Sequence, residues 1–260
     1  MGRPWRAPHR RVRGPAPVPA WTVQRRVRSY DGPMADDVSP KTGLGVVHLF
    51  CKAGPTVDAE GVVGAVKAAR ADGVQVVTAA LLGHKADLCV MALGPGLGRL
   101  RALQTAVQAA GLVVADSYVS LTEVSEYAKA MPEEMQRPRL YPQLPPEGKP
   151  AFCFYPMSKR RAAHANWFEL PYDERDELMK AHGRSGRTFA GRVLQVVTGS
   201  TGLDDWEWGV TLFGVGPDDL KEVVYTMRFD EASARYAEFG RFYTGMVGTV
   251  EDVLAAAGMA

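Results

Sequence analysis

One order of strand and helix signals occurs twice along this chain, and that repetition limits its fold more than any single residue does. GVVHLFCK (45–52) reads as a strand, VDAEGVVGAVKAARADG (57–73) as a helix, and VQVVTAALLG (74–83) and ADLCVMALG (86–94) as two strands around a Gly-His-Lys turn. LGRLRALQTAVQAAG (97–111) reads as a helix and LVVADSYVSLTEV (112–124) as a strand. A proline-rich link follows, with Pro132, Pro138, Pro142, Pro145, Pro146 and Pro150. The order then restarts. AFCFYPMSK (151–159) is a strand, PYDERDELMKAHG (171–183) opens a helix, VLQVVTGS (193–200) and WEWGVTLFGV (206–215) are strands, PDDLKEVVYTM (217–227) is a helix and ARYAEFGRFYTGMV (234–247) is a strand. Each half is a βαββαβ unit, the ferredoxin-like arrangement of an antiparallel sheet with helices on one face. The expected fold class is therefore α+β, with two ferredoxin-like units forming a dimeric α+β barrel-type arrangement within one chain. The expected organisation is a basic head (1–42), an N-terminal unit (43–131), the link (132–150) and a C-terminal unit (151–260), with a ligand pocket between a sheet and its helices.

At 260 residues and 46% hydrophobic content, the chain can bury one large core or two smaller ones. No apolar run approaches the roughly 18 to 20 residues of a membrane span, so a transmembrane reading fails. Cys51, Cys89 and Cys153 form no CxxC, no zinc-type pair and no CxxCH, which argues against a disulfide framework and for a reducing cytoplasm. Charge is uneven. Residues 1–33 hold eight arginines against one acid, Asp31, whereas the remainder carries 23 basic and 28 acidic residues. Such a head suits a nucleic-acid arm, a transit-like segment or a disordered extension. Its proline content and lack of an apolar stretch favour disorder, and Met34, directly before ADDVSPKTG, reads as a natural beginning.

The second unit carries nearly all the chemical side chains. Alternate residues of a strand share a face, so Tyr155, Met157 and Lys159 of FYPMSKRR (154–161) project together, with Pro156 and Ser158 between them. A phenol that can carry an electron hole, a thioether that packs on a macrocycle and an ammonium that meets a carboxylate suit a large, flat, anionic, redox-active ligand. The same alternation is also ordinary half-buried sheet composition. His182 lies four residues from Leu178, so it shares a helix face with apolar neighbours, as either a core histidine or a ligand would. His9, His48, His84 and His164 form no cluster with it, which argues against zinc or non-haem iron; a haem needs only one protein ligand. Gln195 is either a hydrogen-bonded core group or a polar residue held toward a pocket. Trp167, Trp206 and Trp208 offer aromatic area to a macrocycle or to the core. Arg139, just before the link, and Arg228 are candidate carboxylate partners, although most arginines face solvent, and Ser233 lies near Arg228 before the last strand.

Read in order, RLYPQLPP (139–146), FYPMSKRR, NWFELPYDERDELMKAHGRSGR (166–187), LQVVTGSTGLDDWEWGVTLF (194–213) and MRFDEASARYAEFG (227–240) resemble the coproheme decarboxylases of the chlorite dismutase superfamily. The likeness covers residues 139–245, and GHKADLCVMAL (83–93) and DSYVSLTEVSEY (116–127) carry it more weakly through the first half. The resemblance implies that His182 is the axial iron ligand, Tyr155 the catalytic tyrosine, Lys159 the lysine assisting at a propionate and Gln195 the distal glutamine of one branch. Chlorite-degrading relatives use an arginine at that last position. It further implies that Arg139, Ser233 and the strand from Tyr155 through Pro156, Met157 and Ser158 to Lys159 hold the porphyrin propionates, and that Arg228, Tyr118 and Trp208 line the pocket. The implied substrate is Fe-coproporphyrin III (coproheme), oxidised with hydrogen peroxide to haem b through a mono-vinyl intermediate. A cytoplasmic homopentamer is implied too, with the coproporphyrin ferrochelatase as a further partner and no nucleic acid. The alternatives are a haem carrier or sensor without catalysis, a chlorite dismutase or general haem peroxidase, and a cofactor-free monooxygenase.

Overall fold

Strand and helix signals become elements close to where the sequence puts them. The structure, a computed structural model, describes residues 38–259, so the expected head lies outside the described residues except for 38–42. The first unit runs β1 (Gly45–Ala53), α1 (Ala59–Ala71), β2 (Gln75–Leu81), β3 (Leu88–Gly94), α2 (Leu97–Ala109) and β4 (Leu112–Thr122). Asp58 caps α1 by accepting a hydrogen bond from the Gly61 amide. Helical spacing puts Val62, Val66 and Ala69 of α1, and Leu100, Leu103 and Val107 of α2, on faces buried against the sheet. The proline-rich link contains α3 (Glu133–Leu140), which carries Pro138 within it. The second unit follows as β5 (Ala151–Lys159), a small hairpin of β6 (Arg161–Ala162) and β7 (Ala165–Asn166), α4 (Tyr172–Arg187), β8 (Val193–Gly199), β9 (Trp208–Gly214), α5 (Pro217–Met227), α6 (Glu231–Ala234), β10 (Ala237–Phe239), β11 (Tyr243–Gly248) and α7 (Val250–Ala256).

Within the units the strand orders are β2-β3-β1-β4 and β11-β5-β9-β8, all antiparallel, which is the ferredoxin-like order in both halves. Two seams join the halves: β2 pairs with β11 along Thr78–Leu81, and β4 pairs with β8 at Leu121–Gly199 and Thr122–Thr198. Because β5 also pairs with β9, this nine-stranded sheet closes on itself as a barrel, with β10 added beside the end of β5. Phe50, Met91, Phe152, Phe154 and Phe213 fill its interior. Outside it, α1, α2 and α7 cover the first unit, and α5 covers part of the second. Among the described residues no helix is long and apolar enough to cross a membrane.

The single strand expected at 234–247 is broken, and Pro156 explains why. Its carbonyl points toward the neighbouring strand and accepts from the Gly240 amide, but it has no N–H to offer the same neighbour. β11 therefore pairs with β5 only as far as Phe154, and β10 resumes at Met157. Gly240 fits this step because a Cβ there would lie 2.6 Å from the Pro156 ring and 3.0 Å from Trp206.

Candidate functional site

α4 carries no buried residue, unlike α1, α2 and α5. It is anchored at its ends and leans on α5, α6 and a 3-10 turn at Glu126–Ala128. At the start, Tyr172 stacks on Tyr127 with centroids 5.8 Å apart, and Arg175 donates to Glu126 at 3.0 Å and to the Tyr127 hydroxyl at 3.2 Å. Asp173 and Glu174 in the first turn and Arg184 and Arg187 in the last suit the helix dipole. On the outer face of the sheet, Gln195 and Val197 of β8 are exposed, so no helix covers that part of the face among the described residues. Two separate hollows, about 450 Å³ between α1 and α7 and about 370 Å³ beside Leu144 and Pro145, touch none of the residues below.

His182 projects from α4 with Nδ1 turned toward α6, 3.3 Å from Asp230 Oδ2 and 3.5 Å from Ser233 Oγ. Ser185, also on α4, fixes the carboxylate by donating to Asp230 Oδ1 at 2.6 Å. The Oδ2 contact lies at ion-pair distance without hydrogen-bond alignment, so Oδ2 is buried without a donor. An orphaned carboxylate oxygen beside Nδ1 is what a histidine needs if Nδ1–H is to be fixed and Nε2 left to bind a metal. Burial and the nearby Lys159 charge push the His182 pKa below its ordinary value, against the opposing pull of Asp230, so a neutral imidazole is favoured.

Tyr155 and Lys159 lie on the outer face of β5, as their alternation predicts, and Met157 packs with Tyr155 there. The Tyr155 ring is buried, stacked on Phe242 (centroids 4.5 Å apart) and edge-on to Phe239 (5.6 Å). Burial raises its pKa, so the phenol stays protonated. Lys159 is 8% exposed; its Nζ sits 4.0 Å from the centre of the Trp167 ring and donates to the Ala232 carbonyl of α6 at 2.7 Å. Burial lowers its pKa to about 8, with Glu207 pulling the other way. Cross-strand register puts Gln195 on the same outer face, since Tyr155 pairs with Val210, Val210 with Val197, and Gln195 with Leu212. His182, Lys159 and Ser233 thus meet at α6, while Tyr155, buried, and Gln195, exposed, stand on the outer face of the sheet.

Other expected residues lie elsewhere. Tyr118 is inside the barrel, in the cluster with Phe152 and Phe154, and its hydroxyl bonds to Ser200. Its ring occupies the space left by Gly209, where a Cβ would lie 2.6 Å away, so Tyr118 does not stand on the outer face. Pro156 and Ser158 alternate away from Tyr155; Ser158 Oγ accepts from the Glu207 amide. Arg139 bonds back to the Met135 carbonyl of α3, and Arg228 stands at the C-cap of α5; neither bonds to His182, Lys159 or Ser233 among the described residues. Trp208 pairs across from Met157 on the outer face and donates from Nε1 to Glu123 at 3.1 Å. Asp230, Ser185 and Phe242 went unread in the sequence. Asp230 alone had a local signal, as an Asp directly before the short helical stretch EASA.

The profile of the chlorite dismutase family matches residues 57–248. A coproheme decarboxylase of Thermus thermophilus is 47% identical over 171 residues, which span 64% of this chain and 68% of that protein. Among solved structures, a haem-binding protein from Thermus thermophilus superposes with a TM-score of 0.72 at 37% identity, covering 84% of this chain and 96% of the other. A chlorite dismutase variant from Candidatus Nitrospira defluvii, at 18% identity, shares the fold with a TM-score of 0.67 over 84% of this chain and 97% of its own.

Proposed function

Since the chain belongs to the chlorite dismutase family, we propose that it is a coproheme decarboxylase, converting two propionates of Fe-coproporphyrin III to vinyls with hydrogen peroxide and releasing haem b. The observation that carries this reading is the meeting of His182 and Lys159 at α6, His182 beside Asp230 and Ser233 and Lys159 bonded to the Ala232 carbonyl, with Tyr155 on the same face of β5 as Lys159. The neutral imidazole offers Nε2 as the ligand of the substrate's iron, and Asp230 Oδ2, 3.3 Å from Nδ1 and otherwise without a donor, takes the Nδ1 proton's hydrogen bond once the ring turns to meet the iron. When bound, that iron would supply, with one hydrogen peroxide, the two oxidising equivalents each vinyl needs. Tyr155, kept a neutral phenol by burial, yields a hydrogen atom and then takes one from the propionate β-carbon; a second electron passes from that carbon to the oxidised porphyrin, carbon dioxide leaves and a vinyl remains. Lys159 adds a charge-assisted bond to the second carboxylate, in exchange for or alongside the Ala232 carbonyl. Gln195 orients peroxide through its amide without acting as a base. A mono-vinyl intermediate, a homopentameric ring, a cytoplasmic location and the ferrochelatase as a partner complete the reading.

Mass analysis of the porphyrin after mixing protein, coproheme and peroxide tests it. Stepwise loss of two propionates is expected, and unchanged tetrapropionate would sink the assignment. Tyr155→Phe should bind coproheme and make no vinyl. His182→Ala should lose the Soret shift on addition of coproheme.

A further inference from the structure

Phe242 and Tyr243 are consecutive at the start of β11 and point to opposite faces of the sheet. Phe242 stacks on Tyr155 outside the barrel, with ring planes 22° apart. Tyr243, 4% exposed, points inside and stacks on Phe50 with centroids 3.7 Å apart. Across the barrel its hydroxyl donates to Asp116 Oδ2 at 2.5 Å. That bond separates Tyr243 from the other buried phenols of the region. Tyr118 shares its hydroxyl proton with Ser200, which is no base, and Tyr155 makes no hydrogen bond among the described residues. An oxidised phenol is strongly acidic, so a tyrosine surrenders an electron readily only where its proton can leave with it. Asp116 provides that exit. Lys85 donates to the Phe242 carbonyl at 2.5 Å and lies 5.6 Å from the centre of the Tyr243 ring, where its charge disfavours a cationic ring and so favours proton loss.

We propose that Tyr243 and Asp116 form a second redox site, which drains oxidising equivalents from Tyr155 when no propionate is present to consume them. The inference rests on the reading of Tyr155 as a radical carrier, with hydrogen peroxide at the bound porphyrin as the oxidant. One electron passes from Tyr243 by way of Phe242 to the oxidised Tyr155. The phenolic proton of Tyr243 moves along its hydrogen bond to the Asp116 carboxylate, and the Tyr155 oxygen regains a proton from solvent. One phenol is reduced and one oxidised, and the radical ends inside the barrel.

The experiment uses protein loaded with haem b, which lacks the two propionates that become vinyls, mixed with hydrogen peroxide and frozen for electron paramagnetic resonance. The wild type should show a tyrosyl signal whose hyperfine pattern disappears in Y243F and in Y155F. D116N, which keeps the phenol, should lower its yield. Y243F should still convert coproheme to haem b at the wild-type initial rate but bleach after fewer equivalents of peroxide. A wild type without a tyrosyl signal, or a signal unchanged in Y243F while vinyl formation is intact, overturns the second site alone. Vinyl formation by Tyr155→Phe overturns both readings.

Discussion

The two βαββαβ units share a strand order and differ in what their helices do. In the first, α1 and α2 press Val62, Val66, Leu100, Leu103 and Val107 onto the sheet, and α7 adds Val250, Val253 and Leu254 to the same core. In the second, α5 packs but α4 has no fully buried residue and rests Leu178 and Met179 on its neighbours, while β8 shows Gln195 and Val197 to solvent. One topology thus serves as scaffold in one half and carries the proposed binding site in the other. The difference lies in packing withheld from a single helix, because a groove for a flat ligand cannot also be filled with side chains.

Core truncation puts this contrast to its hardest test. Leu103→Ala should cost about 2–5 kcal/mol in urea unfolding and leave porphyrin affinity unchanged; a matching loss of affinity would show that the halves are not separable in role. Lys159→Met comes next. With its pKa lowered to about 8, folded Lys159 binds its proton less tightly than the unfolded chain does, so wild-type stability should rise from pH 8 toward 10.5, by at most about 3 kcal/mol. Below pH 8 the full cost of burying the charge applies, and the methionine variant should show no such slope in pH-resolved denaturation. Asp230→Asn keeps the shape beside Nδ1 but loses the charge, and a Soret titration should find coproheme bound about 10–100-fold more weakly. The smallest effect belongs to Leu178→Ala on α4, about 1 kcal/mol, because that side chain is only partly buried. A cost equal to that of Leu103→Ala would erase the distinction between the helices.

Most of the fold was legible because its signals are local. Alternation marked the strands, and turn residues separated them. The shared face of Tyr155, Met157 and Lys159 followed from parity alone. Tyr118 escaped that logic, since β4 carries apolar or small residues on both faces (Val119 and Leu121 against Tyr118 and Ser120), and parity does not say which face is inside. Asp230 was hidden for another reason. It lies far along the chain from His182, and only the placement of α6 against α4 brings the carboxylate to the imidazole. The break in the last strand needed knowledge of which side of β5 the missing Pro156 N–H faces, and that depends on strand order.

The seams that close the barrel are unequal. β2 and β11 pair over Thr78, Ala79, Ala80 and Leu81, whereas β4 and β8 pair only through Leu121 and Thr122. Breathing should therefore start at the β4–β8 seam, where amide protons exchange with solvent ahead of those at the longer one. That seam ends on the strand that carries Gln195, so the second unit yields most easily beside the proposed ligand face, and the longer seam stays shut while it does.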